Sequence, residues 1–322
     1  MKRFLLAVIS IGIIFGVTYK ADAISNYIVG FITDNHKLEV AEPNEYKKED
    51  KFLYVSNVDD FTPYSYQDLK NIVYTIINSG WDKFTFYCPS EYKECVNDIQ
   101  KLSVDEVMLT HINNYVHPYN SFTKLATSIL ETGEITITVF HVYTKDQIDE
   151  INIETNRLMQ MIVKDDLSDY ENIKALHDYI VNNTKYDVSA NNGTSEYASS
   201  IAYGTLFEKY ATCNGYTDTM AIMLSKLGVP NYKIATTEED INVDGNEKDT
   251  TGHVWNAVYL DGKWLHLDLT WDDPVSDDGL DYLYHKYFLV TTEDLKKADS
   301  GEVELKEHNF RDNIYLEFNE SI

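Results

Sequence analysis

The chain has 322 residues, of which 43% are hydrophobic, and its 53 acidic and 27 basic residues give a formal net charge of −26. That length is sufficient for two hydrophobic cores, whereas so large an acidic excess argues against binding to nucleic acid or to anionic polymers. The charge favours basic, lysine-rich partners, unless it serves solubility alone.

The N-terminus is typical of a secretory signal. Lys2 and Arg3 precede an apolar stretch over residues 4–17, and residues 21–23 read Ala-Asp-Ala, which is a pattern of small residues at a cleavage site. Because the apolar stretch is short for a membrane span, we expect cleavage of a signal peptide over residues 1–23. The mature protein would then be secreted or lie at the cell surface, and an uncleaved anchor is the alternative.

The sequence pattern over residues 24–164 predicts an accessory domain of α+β class. Apolar spacing predicts strands at 51–55, 83–87 and 134–142, and helices at 66–79, 91–101 and from a capping box at Thr144 to about residue 163. This order indicates a small sheet domain, for which a ferredoxin-like arrangement is one candidate.

The chain has three cysteines, and two of them, Cys88 and Cys95, lie seven residues apart in this first domain. In an oxidising compartment they could form a disulfide and leave the third cysteine free. The alternative is that a cysteine on a strand and one on a helix point apart.

No metal or cofactor site is predicted. His111 and His117 match no zinc spacing. Residues 240–245 resemble the first half of a calcium loop, but Thr251 stands where the loop needs a glutamate. We interpret that segment as a solvated acidic loop.

A second capping box, from Ser168 to Glu171, begins a new helix and places a domain boundary near residue 164. We therefore predict a catalytic domain over residues 165–290 and a C-terminal tail over 291–322. Residues 213–227 have helical spacing, so Cys213 lies at a helix N-terminus, where unpaired N–H groups and the helix dipole favour a thiolate. A small buried cysteine is the more common alternative.

Residues 253–260 and 263–269 alternate as two strands joined by the two-residue turn Asp261-Gly262. A loop of that length pairs Leu260 with Lys263, and therefore Trp255 with Asp268.

In this register His253 and Asp268 are diagonal neighbours on one face, with their Cβ atoms roughly 6–8 Å apart. Aliphatic residues occupy the opposite face. A hairpin with an incidental histidine and aspartate would alternate in the same way, but it would not explain why two ionisable groups meet on the face opposite the aliphatic one.

Four short motifs follow one another in this half of the chain: Cys213-Asn214-Gly215-Tyr216, His253-Val254-Trp255-Asn256, Asp261-Gly262-Lys263-Trp264 and Asp268-Leu269-Thr270-Trp271. In this order they resemble the transglutaminase-like superfamily, whose fold is related to the papain-like cysteine proteases. Residues 176–187 and 202–206 resemble the helix and loop that precede the cysteine in bacterial members. The resemblance covers about residues 165–290, and similar accessory modules precede this domain in some bacterial proteins.

The resemblance implies a catalytic triad of Cys213, His253 and Asp268. The thiolate would attack an amide carbonyl, the imidazole would move the proton and the carboxylate would hold the imidazole. The backbone N–H of Cys213 is one expected oxyanion donor. Tyr203 is a candidate for the second donor.

Three functions are consistent with these residues. The leading hypothesis is a secreted or surface cysteine acyltransferase that acts on protein or peptide amides, with a lysine-rich protein as a candidate amine donor. The second is a cysteine peptidase or amidase with the same triad, and the third is a non-catalytic, envelope-associated binding module. None of them requires a cofactor or nucleic acid, and membrane contact is expected only if the N-terminal segment is uncleaved.

Overall fold

A computed structural model describes residues 40–130, 132–236, 252–275, 282–299 and 307–319. The predicted signal peptide and the acidic segment 240–245 lie outside the described residues. Among the helices that are described, none combines the length and the apolar character needed to cross a membrane.

The described part of residues 40–164 is a mixture of helices and strands. Its elements are α1 (Tyr66–Asn78), β1 (Lys83–Tyr87), α2 (Cys95–Val104), α3 (Glu106–Asn114), β2 (Phe122–Ile129), β3 (Glu134–His141) and α4 (Lys145–Ile162). The strands form one antiparallel sheet in the order β1-β3-β2. A ferredoxin-like sheet has four strands, so that part of the prediction is wrong for the residues described.

The missing strand is the one predicted over residues 51–55, which have no regular structure. Phe52, Tyr54 and Val55 are buried and Leu53 is exposed, and side chains rather than a neighbouring strand satisfy the backbone. The Leu53 N–H donates to the Glu317 carboxylate at 2.9 Å, and the Tyr54 carbonyl accepts from Gln67 Nε2 at 3.0 Å. The strand predicted over residues 51–55 is therefore wrong.

The two predicted capping boxes are confirmed. Thr144 and Gln147 exchange hydrogen bonds at the start of α4, and Ser168 and Glu171 do so at the start of the next helix. Each pair satisfies N–H groups that the first helical turn cannot satisfy internally.

Of the two alternatives that the sequence left open for Cys88 and Cys95, the structure has the disulfide. Cys88 follows β1, Cys95 begins α2, and their sulfur atoms are bonded with the two Cα atoms 5.7 Å apart. Cys213 is thereby left as the free cysteine of the chain.

The second half of the chain contains helix α5 (Asp169–Asn182), the two-residue strands β4 (Lys185–Tyr186) and β5 (Tyr210–Ala211), helix α6 (Cys213–Lys226), strands β6 (Asn231–Ala235), β7 (Val254–Leu260) and β8 (Lys263–Leu267), and helices α7 (Leu269–Asp272) and α8 (Thr292–Asp299). Strands β6, β7 and β8 form an antiparallel sheet with β7 in the middle. Helix α6 packs on the aliphatic face of this sheet, where Asn256 Nδ2 on β7 donates to the Thr217 carbonyl on α6 at 3.0 Å.

The opposite face of this sheet packs against the first half of the chain. Tyr232 on β6 stacks on Tyr115 with ring centroids 4.8 Å apart and meets Phe52 edge-on at 5.5 Å. Residues of both halves therefore share one hydrophobic core. The domain division at residue 164 stays a prediction from the sequence.

Residues 307–319, predicted only as part of a tail, cover the same face. The Phe318 ring stacks on His266 with centroids 4.0 Å apart, and the Tyr315 ring lies parallel to Tyr232 at 6.0 Å. We refer to residues 307–319 as the C-terminal segment. Its aromatic side chains place it directly beside the candidate site.

Candidate active site

Cys213 is the first residue of α6, as predicted, and its side chain is partly exposed. The preceding residue is held in place because the Thr212 N–H donates to the Ser199 carbonyl at 2.8 Å. A side chain at Gly215 would clash with that same carbonyl oxygen, so glycine is required for the close approach. These contacts fix the thiol at the helix start, where the first N–H groups have no acceptor within the helix.

The hairpin has the predicted register. Leu260 pairs with Lys263, and the pairing continues to Asn256 opposite Leu267. Asp261 and Gly262 have positive φ angles of 51° and 82°, as a type I′ turn requires. One further step along the strands brings Trp255 opposite Asp268.

This register brings His253 and Asp268 together. His253 Nε2 lies 2.6 Å from Asp268 Oδ2, and both side chains are buried, with 5% and 1% exposure. The imidazole also stacks on Trp255, with an interplanar angle of 18°. Since Nε2 is used by the carboxylate, Nδ1 is the ring nitrogen left for Cys213, whose thiol lies near enough to raise the pKa of this imidazole.

The pKa values of His253 and Asp268 are both shifted from their usual values. Burial alone would lower the pKa of His253, but the Asp268 carboxylate and the Cys213 thiol outweigh it and hold that pKa well above its usual value. Burial would raise the pKa of Asp268, but His253 and His308 together hold it well below its usual range. Both shifts favour the charged imidazolium–carboxylate pair over the neutral one.

Asp268 accepts four hydrogen bonds. Its Oδ1 atom caps α7 by accepting from the N–H groups of Thr270 at 2.9 Å and Trp271 at 3.4 Å. Its Oδ2 atom accepts from His253 and also from His308 Nε2, which lies 2.8 Å away. Two backbone donors and two imidazoles thus fix the carboxylate in one orientation.

His308 could not be identified as a site residue from the sequence. It lies 40 residues after Asp268 along the chain and belongs to no motif. The only local signal is the run of aromatic residues around it, Phe310, Tyr315 and Phe318, which indicates a buried segment but not its location.

Tyr186 is a second residue that the sequence did not indicate. Burial raises the pKa of its phenol, and the nearby Cys213 thiol and Glu307 carboxylate add to that effect. Tyr203, the predicted candidate for an oxyanion donor, instead bonds to Glu150. The Tyr186 hydroxyl itself donates to Asn191 Oδ1 at 3.4 Å. Of the two tyrosines, Tyr186 is the one whose pKa responds to the Cys213 thiol.

The other histidines of this region have structural partners. His266 is buried, accepts from Trp255 Nε1 at 3.0 Å through Nδ1, and contacts Thr292 Oγ1 at 3.0 Å through Nε2. Burial lowers its pKa well below the usual value. His266 therefore supports the indole that lies under the His253 ring.

Two groups of histidine and aspartate among the described residues are close enough to suggest a metal site: His253, Asp268 and His308, and His177, Asp178 and His285. In the first group both imidazoles lie at hydrogen-bond distance from one carboxylate oxygen. In the second group the Lys174 ammonium already lies 2.6 Å from Asp178. Direct hydrogen bonds and ion pairs account for both groups.

We expect iodoacetamide to add one carbamidomethyl group to the native protein near neutral pH, at Cys213, because the disulfide leaves a single free thiol. Peptide mass spectrometry locates the label, and unfolding with reduction should raise the number of labels to three. Labelling of Cys88 or Cys95 without reductant would contradict this assignment. A native rate that His253→Ala leaves unchanged would contradict an activated thiol.

Comparisons with known proteins agree with the motifs. Residues 156–269 match the family model of the transglutaminase-like superfamily. Kyphoscoliosis peptidase of Mus musculus is 27% identical over 144 residues, covering 42% of this chain and 21% of the relative. The Homo sapiens protein of that name is 23% identical over 187 residues, covering 55% and 27%.

The chain thus spans about a quarter of the length of these curated relatives. A solved structure described as a TGase is 20% identical with a TM-score of 0.30, covering 47% of this chain and 45% of that chain.

Proposed function

We propose that this chain, which carries a transglutaminase-like domain over residues 156–269, is a cysteine-dependent acyl-transfer enzyme that acts on protein or peptide amides. One observation carries the proposal. His253 Nε2 lies 2.6 Å from the buried Asp268 carboxylate, and His253 is near enough to the partly exposed Cys213 thiol, at a helix start, for that thiol to raise its pKa. A nucleophile, its base and the group that orients the base are then brought together.

The first half-reaction follows from this geometry. The Cys213 sulfur forms a bond to the amide carbonyl carbon, and His253 gives its Nδ1 proton to the amide nitrogen as the C–N bond breaks. Ammonia or an amine leaves and a thioester remains. Asp268 retains the Nε2 hydrogen bond throughout, which keeps the imidazole in the tautomer that faces the sulfur.

The second half-reaction reverses these roles. An amine or a water molecule attacks the thioester, His253 takes a proton from it at Nδ1, and the C–S bond breaks to release the Cys213 thiolate beside the protonated imidazole. An amine gives transamidation, whereas water gives hydrolysis. Hydrolysis is the second candidate function, because the curated relatives carry the name peptidase.

The oxyanion formed in both steps needs hydrogen-bond donors. The Cys213 N–H is one, since it begins α6. We propose the Tyr186 phenol as the second, because it is near enough to Cys213 for the thiol to raise its pKa and its hydroxyl donates to Asn191 Oδ1 at 3.4 Å, a long contact that a substrate oxyanion could replace. Tyr186→Phe should therefore lower kcat by about 100-fold, since donors of this kind act mainly in the transition state. Steady-state kinetics on a glutamine peptide would measure the loss.

Tyr203→Phe is the matched control for that prediction, because its hydroxyl faces Glu150 instead. Equal losses in the two variants would remove Tyr186 from the oxyanion site. A loss in Tyr186→Phe that appears only in KM would assign the phenol to substrate binding.

The function is tested by mass spectrometry of a glutamine peptide incubated with the protein and a primary amine. A gain equal to the amine minus ammonia identifies transamidation, and deamidation or cleavage identifies hydrolysis. No change with the wild-type protein would contradict both candidates and support the non-catalytic binding module. Cys213→Ala serves as the blank.

The proposal includes a secreted or surface location. The Cys88–Cys95 disulfide supports it, because disulfides persist in oxidising compartments. The net charge of −26 supports a lysine-rich protein as amine donor and gives no support to nucleic acid as a partner.

A further inference from the structure

We propose that His308 is a positioning residue of this site: it shares the Asp268 carboxylate with His253 and so sets how firmly that carboxylate holds the His253 proton. The inference rests on the acyl-transfer function proposed above. It gives the C-terminal segment a role in the chemistry of the site.

The geometry at the carboxylate carries the argument. His253 Nε2 lies 2.6 Å and His308 Nε2 lies 2.8 Å from the same oxygen, Asp268 Oδ2. An ionised carboxylate oxygen can only accept, so both Nε2 atoms must carry hydrogen. The shared oxygen therefore defines the tautomer of both rings and leaves His253 Nδ1 to face Cys213.

His308 is held in this position from several sides. Its side chain is only 2% exposed, and its ring meets Trp255 edge-on at 4.9 Å and packs against Tyr287 at 5.1 Å. The neighbouring residue is also fixed, since the Glu307 carbonyl accepts from Thr236 Oγ1 at 3.0 Å and its carboxylate accepts from Trp271 Nε1 at 3.1 Å. Such fixation is what a residue acting through hydrogen-bond geometry needs.

Loss of the His308 hydrogen bond should change the pKa of His253 in one direction only. The titratable groups around His308 are Asp268, His253, the Tyr287 phenol, the adjacent Glu307 and, behind Trp255, His266. A second donor on Oδ2 stabilises the carboxylate and weakens its pull on the His253 proton, and a protonated His308 would do so more strongly. Removing His308 should therefore make His253 hold its proton more firmly.

The rate of Cys213 alkylation by iodoacetamide, measured against pH on the full chain, reports this effect without any substrate. The upper inflection of this pH–rate profile marks loss of the His253 proton. In His308→Phe, which keeps a ring but no donor, we expect this inflection to rise by about 0.5–1 pH unit. In His308→Gln, whose amide N–H can reach the same oxygen, we expect it to return towards the wild-type value.

Phe310→Leu is the matched control, because it loosens the same segment and leaves the Asp268 hydrogen bonds intact. Its profile should match the wild type. A folded His308→Phe protein with an unshifted inflection would overturn the inference, as would an equal shift in all three variants, which would indicate a packing effect alone.

A measurement on the wild-type protein avoids any folding defect in the variants. ¹⁵N NMR of labelled histidines should show His253 and His308 both carrying hydrogen on Nε2, and an Nδ1–H tautomer at His308 would overturn the inference. The two proposals fail separately. Absence of turnover in the wild type would remove the acyl-transfer function, whereas the alkylation profile and the tautomers test His308 alone.

Discussion

Cys213→Ala is expected to abolish covalent turnover, with a fall in kcat of at least about 10⁴-fold. The reason is that the other two cysteines are joined in a disulfide, so no second thiol can replace it. The side chain is partly exposed at a helix start, and its removal should leave the melting temperature nearly unchanged. Product analysis by mass spectrometry and thermal unfolding by circular dichroism measure the two effects.

His253→Ala should be almost as damaging, because the thiolate loses its positively charged partner and the leaving nitrogen loses its acid. His285→Ala, which removes a histidine bonded to Asp178 on α5, is the matched control and should retain turnover. Turnover that survives in Cys213→Ala would require a different nucleophile and would end the proposed mechanism.

The part of this site that could be predicted is the part that depends on local rules. A two-residue turn fixes the pairing of its strands, and side chains alternate along each strand, so the meeting of His253 and Asp268 follows from the sequence between them. Likewise, helical spacing and the stop at Gly228 suffice to place Cys213 at the start of α6.

The remaining part depends on contacts between distant segments. His308 reaches Asp268 across 40 residues of sequence, and Tyr186 on the short strand β4 lies near enough to Cys213 for the thiol to raise its pKa. The strand predicted over residues 51–55 was wrong for a related reason. The Leu53 N–H donates to the Glu317 carboxylate, which lies 264 residues away in the sequence. No periodic pattern encodes such pairings, so a single sequence does not predict which distant residues will be partners.

Asp268→Ala is expected to lower kcat by about 10²–10⁴-fold, a smaller loss than in Cys213→Ala, because the imidazole remains but is poorly held. It should also lower the free energy of unfolding by about 3–5 kcal/mol, since it leaves a buried pair without its acceptor. Asp268→Asn should fall between the wild type and alanine, because an amide oxygen still accepts the His253 N–H. Kinetics and urea unfolding of the three proteins give this order.

The stability difference between the wild type and Asp268→Asn should depend on pH. The pKa of Asp268 is lowered in the folded protein. Its contribution to the free energy of unfolding is therefore complete above the pKa of an unfolded aspartate, about 3.9, and is lost as pH falls through the pKa of the folded state. The pKa of His253 is raised in the folded protein. Its contribution to the free energy of unfolding is therefore complete below the pKa of an unfolded histidine, about 6.5, and is lost as pH rises through the pKa of the folded state. The difference should be largest between about pH 4 and pH 6.5.

Asp273→Asn is the control that separates the catalytic carboxylate from its neighbours. Asp273 is also buried and follows α7, but it accepts from the Tyr216 hydroxyl, which an asparagine oxygen can still satisfy. Its kcat should stay close to that of the wild type. If Asp273→Asn instead lost turnover while Asp268→Ala kept it, the hairpin register would have joined the wrong carboxylate to His253, and the proposed triad would have to be abandoned.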